Sequence, residues 1–200
     1  MTDSANRRAR ASQKRQRLVA AAARVLHAQG VERTTLADIA REAEVPVGNV
    51  YYYFKTKDDL VLAALSEHRA HLAGLTARLE ELPDPRERLK GLVGAWVEQR
   101  DTAALHGCPT GTLAAELDKR ADGTLDAEAG AVIRELLDWV AAQFRALDMA
   151  DPEGLALTLV CAYQGMSLLA NALRDPEVMS REGARLTARL DALRAPDGEL

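Results

Sequence analysis

Apolar positions recur along this chain every three to four residues, the period of one helix face, and no stretch keeps the alternation of a half-buried strand. Nine runs carry the pattern, at residues 13–29, 35–43, 46–54, 57–82, 86–104, 112–120, 125–147, 151–173 and 175–193. Leu18, Ala22, Val25 and Leu26 mark the first, with Gly30 as its C-cap. In the second, Leu36, Ile39, Ala40 and Ala43 stand opposite Asp38, Arg41 and Glu42. Breakers fall between the runs: Pro83-Asp84-Pro85 ends the fourth, Gly107-Cys108-Pro109-Thr110-Gly111 follows the fifth, and Asp122-Gly123-Thr124 turns before the seventh. Asp151-Pro152-Glu153 and Asp175-Pro176-Glu177 each supply a cap, a first-turn proline and an acid. Residues 1–12 hold few apolar side chains and are expected to be disordered, and the tail 195–200 is expected to fray. The expected fold class is all-α, with nine helices and no strand.

Aromatics are only 4% of the chain, yet Tyr51, Tyr52 and Tyr53 stand in a row before Phe54. At 3.6 residues per turn Val50 and Phe54 share a buried face, so Tyr51 and Tyr52 face at least partly outward. Pro46 ends the preceding helix at Val45 and suits the first turn of the next. Two short helices joined by a tight turn over about 35–54 make a helix-turn-helix, whose second helix can enter the major groove.

Charge strengthens that reading. Residues 1–57 hold 11 Lys/Arg against 5 Asp/Glu, net +6, and residues 58–200 hold 15 against 25, net −10. The first part is drawn to polyanions and the remainder is repelled by them. Arg7, Arg8 and Arg10 form either a basic arm for phosphates or the minor groove, or a solubilising tail. Lys14, Arg15 and Arg17 oppose the dipole of their helix, a tolerable cost where they face phosphates. No apolar h-region opens the chain and no run approaches 18 uninterrupted apolar residues, so no membrane span is expected. Two distant cysteines, Cys108 and Cys161, suit a reduced, cytoplasmic protein.

The first 60 residues resemble the TetR family of bacterial transcriptional regulators, through Thr34, Thr35, Ile39, Ala40, Ala43, Val45, Gly48, Val50, Tyr51, Tyr53, Phe54, Lys57 and Leu60 at the spacing of that family's signature. The resemblance implies a DNA-binding head at 1–57 and a body at 58–200 that dimerises and binds a small effector. Within the head, Asn49 can pair with a base edge, Val47 can touch a thymine methyl and Gly48 permits close backbone approach. Tyr51 and Tyr52 reach phosphates or bases, and Thr35, Lys55 and Lys57 are assigned to flanking phosphates. Two departures stand out. Glu44 replaces a frequent glycine, so a non-glycine residue is expected in left-handed conformation there, and Val47 replaces a frequent Lys or Arg.

For the body, the last two helices are the expected dimer interface, through Leu155, Leu159, Ala162, Met166 and Leu169 on one and Leu186 and Leu190 on the other. Trp96, Trp139, Phe144 and Tyr163 can line a cavity for an apolar or aromatic effector. His106, Glu116, Gln143 and Gln164 are polar candidates for orienting it. Residues 107–117 look like a stretch of ligand-responsive members of that family, and Cys108, Leu113 and Leu117 join the effector set. The expected mechanism is a homodimeric repressor that binds a palindromic operator in double-stranded DNA and is released by its effector. No cofactor, metal or catalytic residue is expected, because the cysteines and histidines form no metal-ligand spacing and the His106/Cys108 pair, two residues apart, is a weak nucleophile signal without local context. Two further readings stay open: a thiol sensor through Cys108, and a DNA-organising protein without an effector.

Overall fold

Alanine and arginine are strong helix formers, and they fill the stretch before residue 13. In the computed structural model α1 accordingly runs Thr2–Arg33, so the disorder expected over 1–12 gives way to helix from Thr2 onward. The structure describes residues 2–119 and 125–193, without the side chains of residues 2–5, 7 and 8. The side chains of Arg7 and Arg8, the turn at 122–124 and the tail 195–200 therefore lie outside the described residues. After α1 come α2 (Leu36–Glu42), α3 (Val47–Tyr53), α4 (Lys57–Glu80), α5 (Pro85–Glu98), α6 (Arg100–His106), α7 (Pro109–Leu117), α8 (Leu125–Ala146), α9 (Pro152–Leu173) and α10 (Glu177–Ala192). The expected helices are present, the fifth divided into α5 and α6 at Gln99, and the described residues contain no strand.

The chain forms two compact units, Met1–Arg69 with Thr112–Ala129, and Ala70–Gly111 with Gly130–Leu200. The first unit extends past residue 57 because Leu60, Val61, Ala64 and Leu65 of α4 bury their side chains with Ile39, Val50 and Phe54. Leu113 and Leu117 of α7, and Leu125 and Ala129 of α8, belong to the same cluster. Within this unit α2 packs on α1 and α3 on α2.

Local polar chemistry fixes the helix ends. The Thr35 hydroxyl accepts from Asp38 N–H at 3.2 Å, while the Asp38 carboxylate accepts from Thr35 N–H at 3.0 Å, a reciprocal capping box. Hydrogen bonds from Thr35 hold the Asp38 carboxyl below the usual carboxylate range, with Arg41 adding to the effect. Between α2 and α3, Glu44 adopts φ 52, the left-handed conformation expected from the missing glycine. A side chain there costs about 1 kcal/mol that glycine avoids. Glu44→Gly is therefore expected to stabilise the first unit by about 0.5–1 kcal/mol in urea denaturation, because the ion pair it removes, with Arg17 at 3.3 Å, is exposed and weak.

In the second unit α10 packs against α5 and α9, and α9 against α6. Phe144, Leu89, Leu92, Leu159, Met179, Leu186 and Leu190 are fully buried there. Long basic side chains close the helix ends. Arg174, itself left-handed at φ 54, donates to Leu105 O at 2.6 Å at the end of α6, and Arg86 donates to Leu190 O and Leu193 O at the end of α10.

Helix α9 is apolar around its circumference, long and apolar enough by composition alone to cross a membrane. One face packs in the unit's own core through Leu155, Ala156, Leu159, Val160, Tyr163, Met166 and Ala170. Leu157 and Leu168 on the opposite face, Leu169 beside it and Leu173 at the helix end are exposed. This corrects the expected dimer stripe. Leu155, Leu159, Met166, Leu186 and Leu190 are buried within the protomer, and only Ala162 and Leu169 of that set reach the surface. On an all-apolar helix the sequence period does not distinguish the inner face from the outer one.

Candidate functional site

The recognition element is built by one buried pair. Val50 and Phe54 sit one turn apart inside the first unit's core, which turns Val47, Gly48, Tyr51 and Tyr52 outward. Tyr51 is 52% exposed and Tyr52 76%. Tyr53 is half-buried against the core and meets the edge of Tyr52 at a centroid distance of 5.0 Å, so Tyr53 steadies the ring that projects furthest. Asn49 is half-exposed on the same helix.

Gly48 has no steric need to be glycine. A Cβ there would meet no atom within 4 Å, and its backbone is helical. Glycine inside a helix costs about 0.5–1 kcal/mol relative to alanine, so its presence suits a surface that another molecule approaches closely.

The cations around this helix divide by what they touch. Arg10 and Lys14 on α1 and Arg41 on α2 are exposed. Arg17, also exposed, is instead committed to the protein's own backbone: its guanidinium donates to Ala43 O at 2.5 Å and Glu44 O at 3.3 Å, capping α2 at the strained turn. Arg15 lies over the Phe54 ring at 5.3 Å. Lys55 Nζ donates to Tyr51 O at 3.0 Å, closing the end of α3. Lys57, assigned to phosphate on sequence grounds, donates its ammonium to Val31 O at 2.5 Å and Thr34 O at 3.1 Å. Its work in this structure is internal. Thr35 likewise spends its hydroxyl proton on Asp38 Oδ2 at 2.6 Å. Sequence reasoning missed the roles of Arg17 and Lys57 because their partners stand 26 and 27 residues away for Arg17, and 26 and 23 for Lys57.

In the second unit the effector candidates part company. Trp96 stacks on Tyr163 at 4.3 Å and 13°, both buried. Beside them the Cys108 sulfur accepts from Gly111 N–H at 3.3 Å and Gln164 Nε2 at 3.6 Å. Burial, and then the neighbouring Cys108, push the Tyr163 phenol well above its usual range. Gly111 lets Gln164 this close, since a Cβ would collide with the carboxamide oxygen. Ser167, one turn after Tyr163 on α9, is fully buried, and its hydroxyl has no hydrogen-bond partner among the described residues.

The other candidates sit elsewhere. Trp139 is half-buried with its indole N–H donating to the exposed Glu80 at 2.9 Å, and Phe144 is packed in the core. His106 is half-buried in the last turn of α6. Leu113 and Leu117 are corrected to the first unit's core, and Glu116 to a main-chain contact of that unit, because the later turns of α7 belong to it. Gln143 is buried, accepting from Arg88 at 3.2 Å and donating to Trp139 O at 3.2 Å.

Two family models match the chain: bacterial regulatory proteins of the tetR family over residues 18–64, and the C-terminal domain of LmrA/YxaF-like transcriptional regulators over residues 85–185. The HTH-type regulator HbdR of Aromatoleum sp. (strain CIB) is 33% identical over 109 residues, covering 52% of this chain and 48% of that protein. The regulator LmrA of Bacillus subtilis (strain 168) is 30% identical over 111 residues, 54% of this chain and 59% of LmrA. The chain thus spans about half the length of these curated relatives. Among solved structures, the regulator SCO4454 of Streptomyces coelicolor superposes with a TM-score of 0.77 at 25% identity, over 90% of this chain and 94% of its own.

Proposed function

The chain belongs to the TetR family of bacterial transcriptional regulators, a family of DNA-binding proteins and not of enzymes, and we propose that it is a repressor that reads a palindromic operator as a homodimer and releases it on binding a small apolar or aromatic effector. The observation that carries the DNA half is the outward row Val47, Gly48, Tyr51 and Tyr52 on a helix whose opposite side is locked by Val50 and Phe54. Asn49 and Val47 read base edges, the tyrosines reach phosphates or bases, and Arg10, Lys14 and Arg41 supply the sequence-independent attraction.

Dimerisation rests on the outer face of α9. A helix apolar all round is ordinarily covered all round, and here Leu157, Leu168, Leu169 and Leu173 are bare. A groove between α9 and α10, lined by Ala162, Gly165, Leu169, Val178, Arg181 and Arg185, continues that face. A second copy across a two-fold axis covers both, and two heads then read half-sites about 34–36 Å apart, or multiples of that.

For the effector, support comes from the Trp96–Tyr163 stack beside Cys108 and Gln164, and from the unsatisfied Ser167 hydroxyl one turn further along. A flat apolar molecule carrying one polar group matches that set. Helix α4 gives Leu60 and Leu65 to one core and Leu79 to the other, and effector release acts by shifting the population toward the form that binds DNA less well. A regulator of this kind acts in the cytoplasm.

The test is to select bound duplexes from a random-sequence library, then measure affinity for the winner by fluorescence anisotropy. An inverted repeat is expected. Gly48→Ala is expected to raise the unfolding free energy by about 0.5–1 kcal/mol while weakening binding of that repeat about tenfold or more, as a methyl enters the approach surface. Unchanged affinity in this variant removes Gly48 from the interface, and a library without an inverted repeat removes the operator.

A further inference from the structure

Val31 is gripped at both of its main-chain polar groups by charged side chains from distant helices. Its N–H donates to Glu116 Oε2 at 2.6 Å, and its carbonyl accepts from Lys57 Nζ at 2.5 Å. Glu116 belongs to the last turn of α7 and Lys57 opens α4. The gripped stretch joins α1 to the helix-turn-helix: it starts at Gly30, kinked out of helix at φ 80, and ends at Thr35, the N-cap of α2. Thr34 braces it with a hydroxyl bond to Gly30 O at 2.6 Å, and Lys57 also reaches Thr34 O at 3.1 Å.

Glycine at position 30 serves the grip twice. Its positive φ makes the kink, and a Cβ there would lie 2.6 Å from Glu116 Oε1. Both bonds are charge-assisted and roughly twice as strong as neutral ones. A Val31 N–H left without Glu116 loses its partner in a part-buried position.

We infer that Glu116 and Lys57 form a two-sided clamp on the Val31 peptide that sets the position of α2 and α3 for groove reading, with Glu116 a positioning residue. This deepens the operator-reading function proposed above and rests on it. Helix α7 has only nine residues, its first turn bonded to the Cys108 sulfur through Gly111 N–H. Glu116 lies in the last turn of the same helix, within the first unit. Neither Glu116 nor Lys57 has to touch DNA for this to operate.

The test uses the full chain, the selected inverted repeat as probe, and the variants Glu116→Ala and Glu116→Gln, each at a temperature where circular dichroism shows it fully folded. Glu116→Ala is expected to lose about tenfold in affinity with an unchanged slope of log affinity against log salt, since no phosphate contact is removed. Glu116→Gln retains an acceptor oxygen and is expected to stay within about threefold of the parent. Backbone amide spectra without DNA provide a readout independent of the operator: Glu116→Ala is expected to shift signals of Leu36–Tyr53, which a purely local role would leave in place. Parental affinity in Glu116→Ala, a glutamine variant as weak as the alanine one, or unmoved α2 and α3 amides each overturn the clamp. A library that selects no repeat defeats the operator reading, and the amide shifts still decide the clamp.

Discussion

Changing Leu168 and Leu169 together to glutamate is expected to leave each protomer folded, convert the protein to a monomer in sedimentation velocity, and weaken operator binding by on the order of 100-fold or more. Both side chains are over half exposed in the protomer, 67% and 52%, so the substitution removes little internal packing. Across a two-fold interface each change enters twice, and carboxylates facing one another without partners are costly to bury. A monomer engages one half-site at a time and loses the gain of simultaneous contact. The control is Leu159→Ala, at a side chain fully buried in the second unit's own core, which is expected to lower stability by about 2–5 kcal/mol. A double glutamate variant that remains dimeric with parental affinity would place the interface elsewhere on the molecule.

What could be read beforehand followed from how far each residue's partners lie along the chain. Val50 and Phe54 are one helical turn apart, and Asp151 caps Gly154 N–H at 2.9 Å, so the spacing alone made their roles legible, whereas the Thr35–Asp38 capping box displaced the phosphate role expected of Thr35. The same holds for Glu44, where the local backbone demanded a left-handed residue whatever the body does. Position along a helix was legible; azimuth on a uniformly apolar helix was not. Leu159 and Leu169 look alike in sequence, yet one is inaccessible and the other half-exposed, because α6 and α10 choose the buried face of α9. Long-range polar work was equally hidden. Spacing makes Glu116 a candidate effector ligand and Lys57 a phosphate contact, yet both meet at Val31 across 85 and 26 residues of chain. Leu113 and Leu117 went to the wrong unit for the same reason: nothing local marks the point where α7 changes company.

The second large effect is expected at Phe144, and it separates core from effector site. Sequence alone grouped Phe144 with Trp96, Trp139 and Tyr163 as cavity-lining aromatics, but Phe144 has no accessible surface and lies in a cluster with Leu89, Leu92, Leu159 and Val140. Truncation there removes the ring's burial and leaves a void that close-packed neighbours fill only in part. Phe144→Ala is expected to lower the unfolding free energy by about 3–5 kcal/mol, with a fall in melting temperature of about 2–4 °C for each kcal/mol in a chain of this size. Trp139→Phe makes the contrast, since its indole N–H bonds the exposed Glu80 and its loss is expected to cost under about 1 kcal/mol. Guanidinium denaturation followed by Trp96 fluorescence in the Trp139→Phe background reads the second unit directly. A cost below about 1 kcal/mol for Phe144→Ala would mean that the ring already borders open space, because only a side chain with an empty neighbour can be deleted so cheaply. In that event Phe144 returns to the effector-lining set beside Trp96 and Tyr163, and the effector is larger than the Trp96–Tyr163–Cys108 cluster alone would hold.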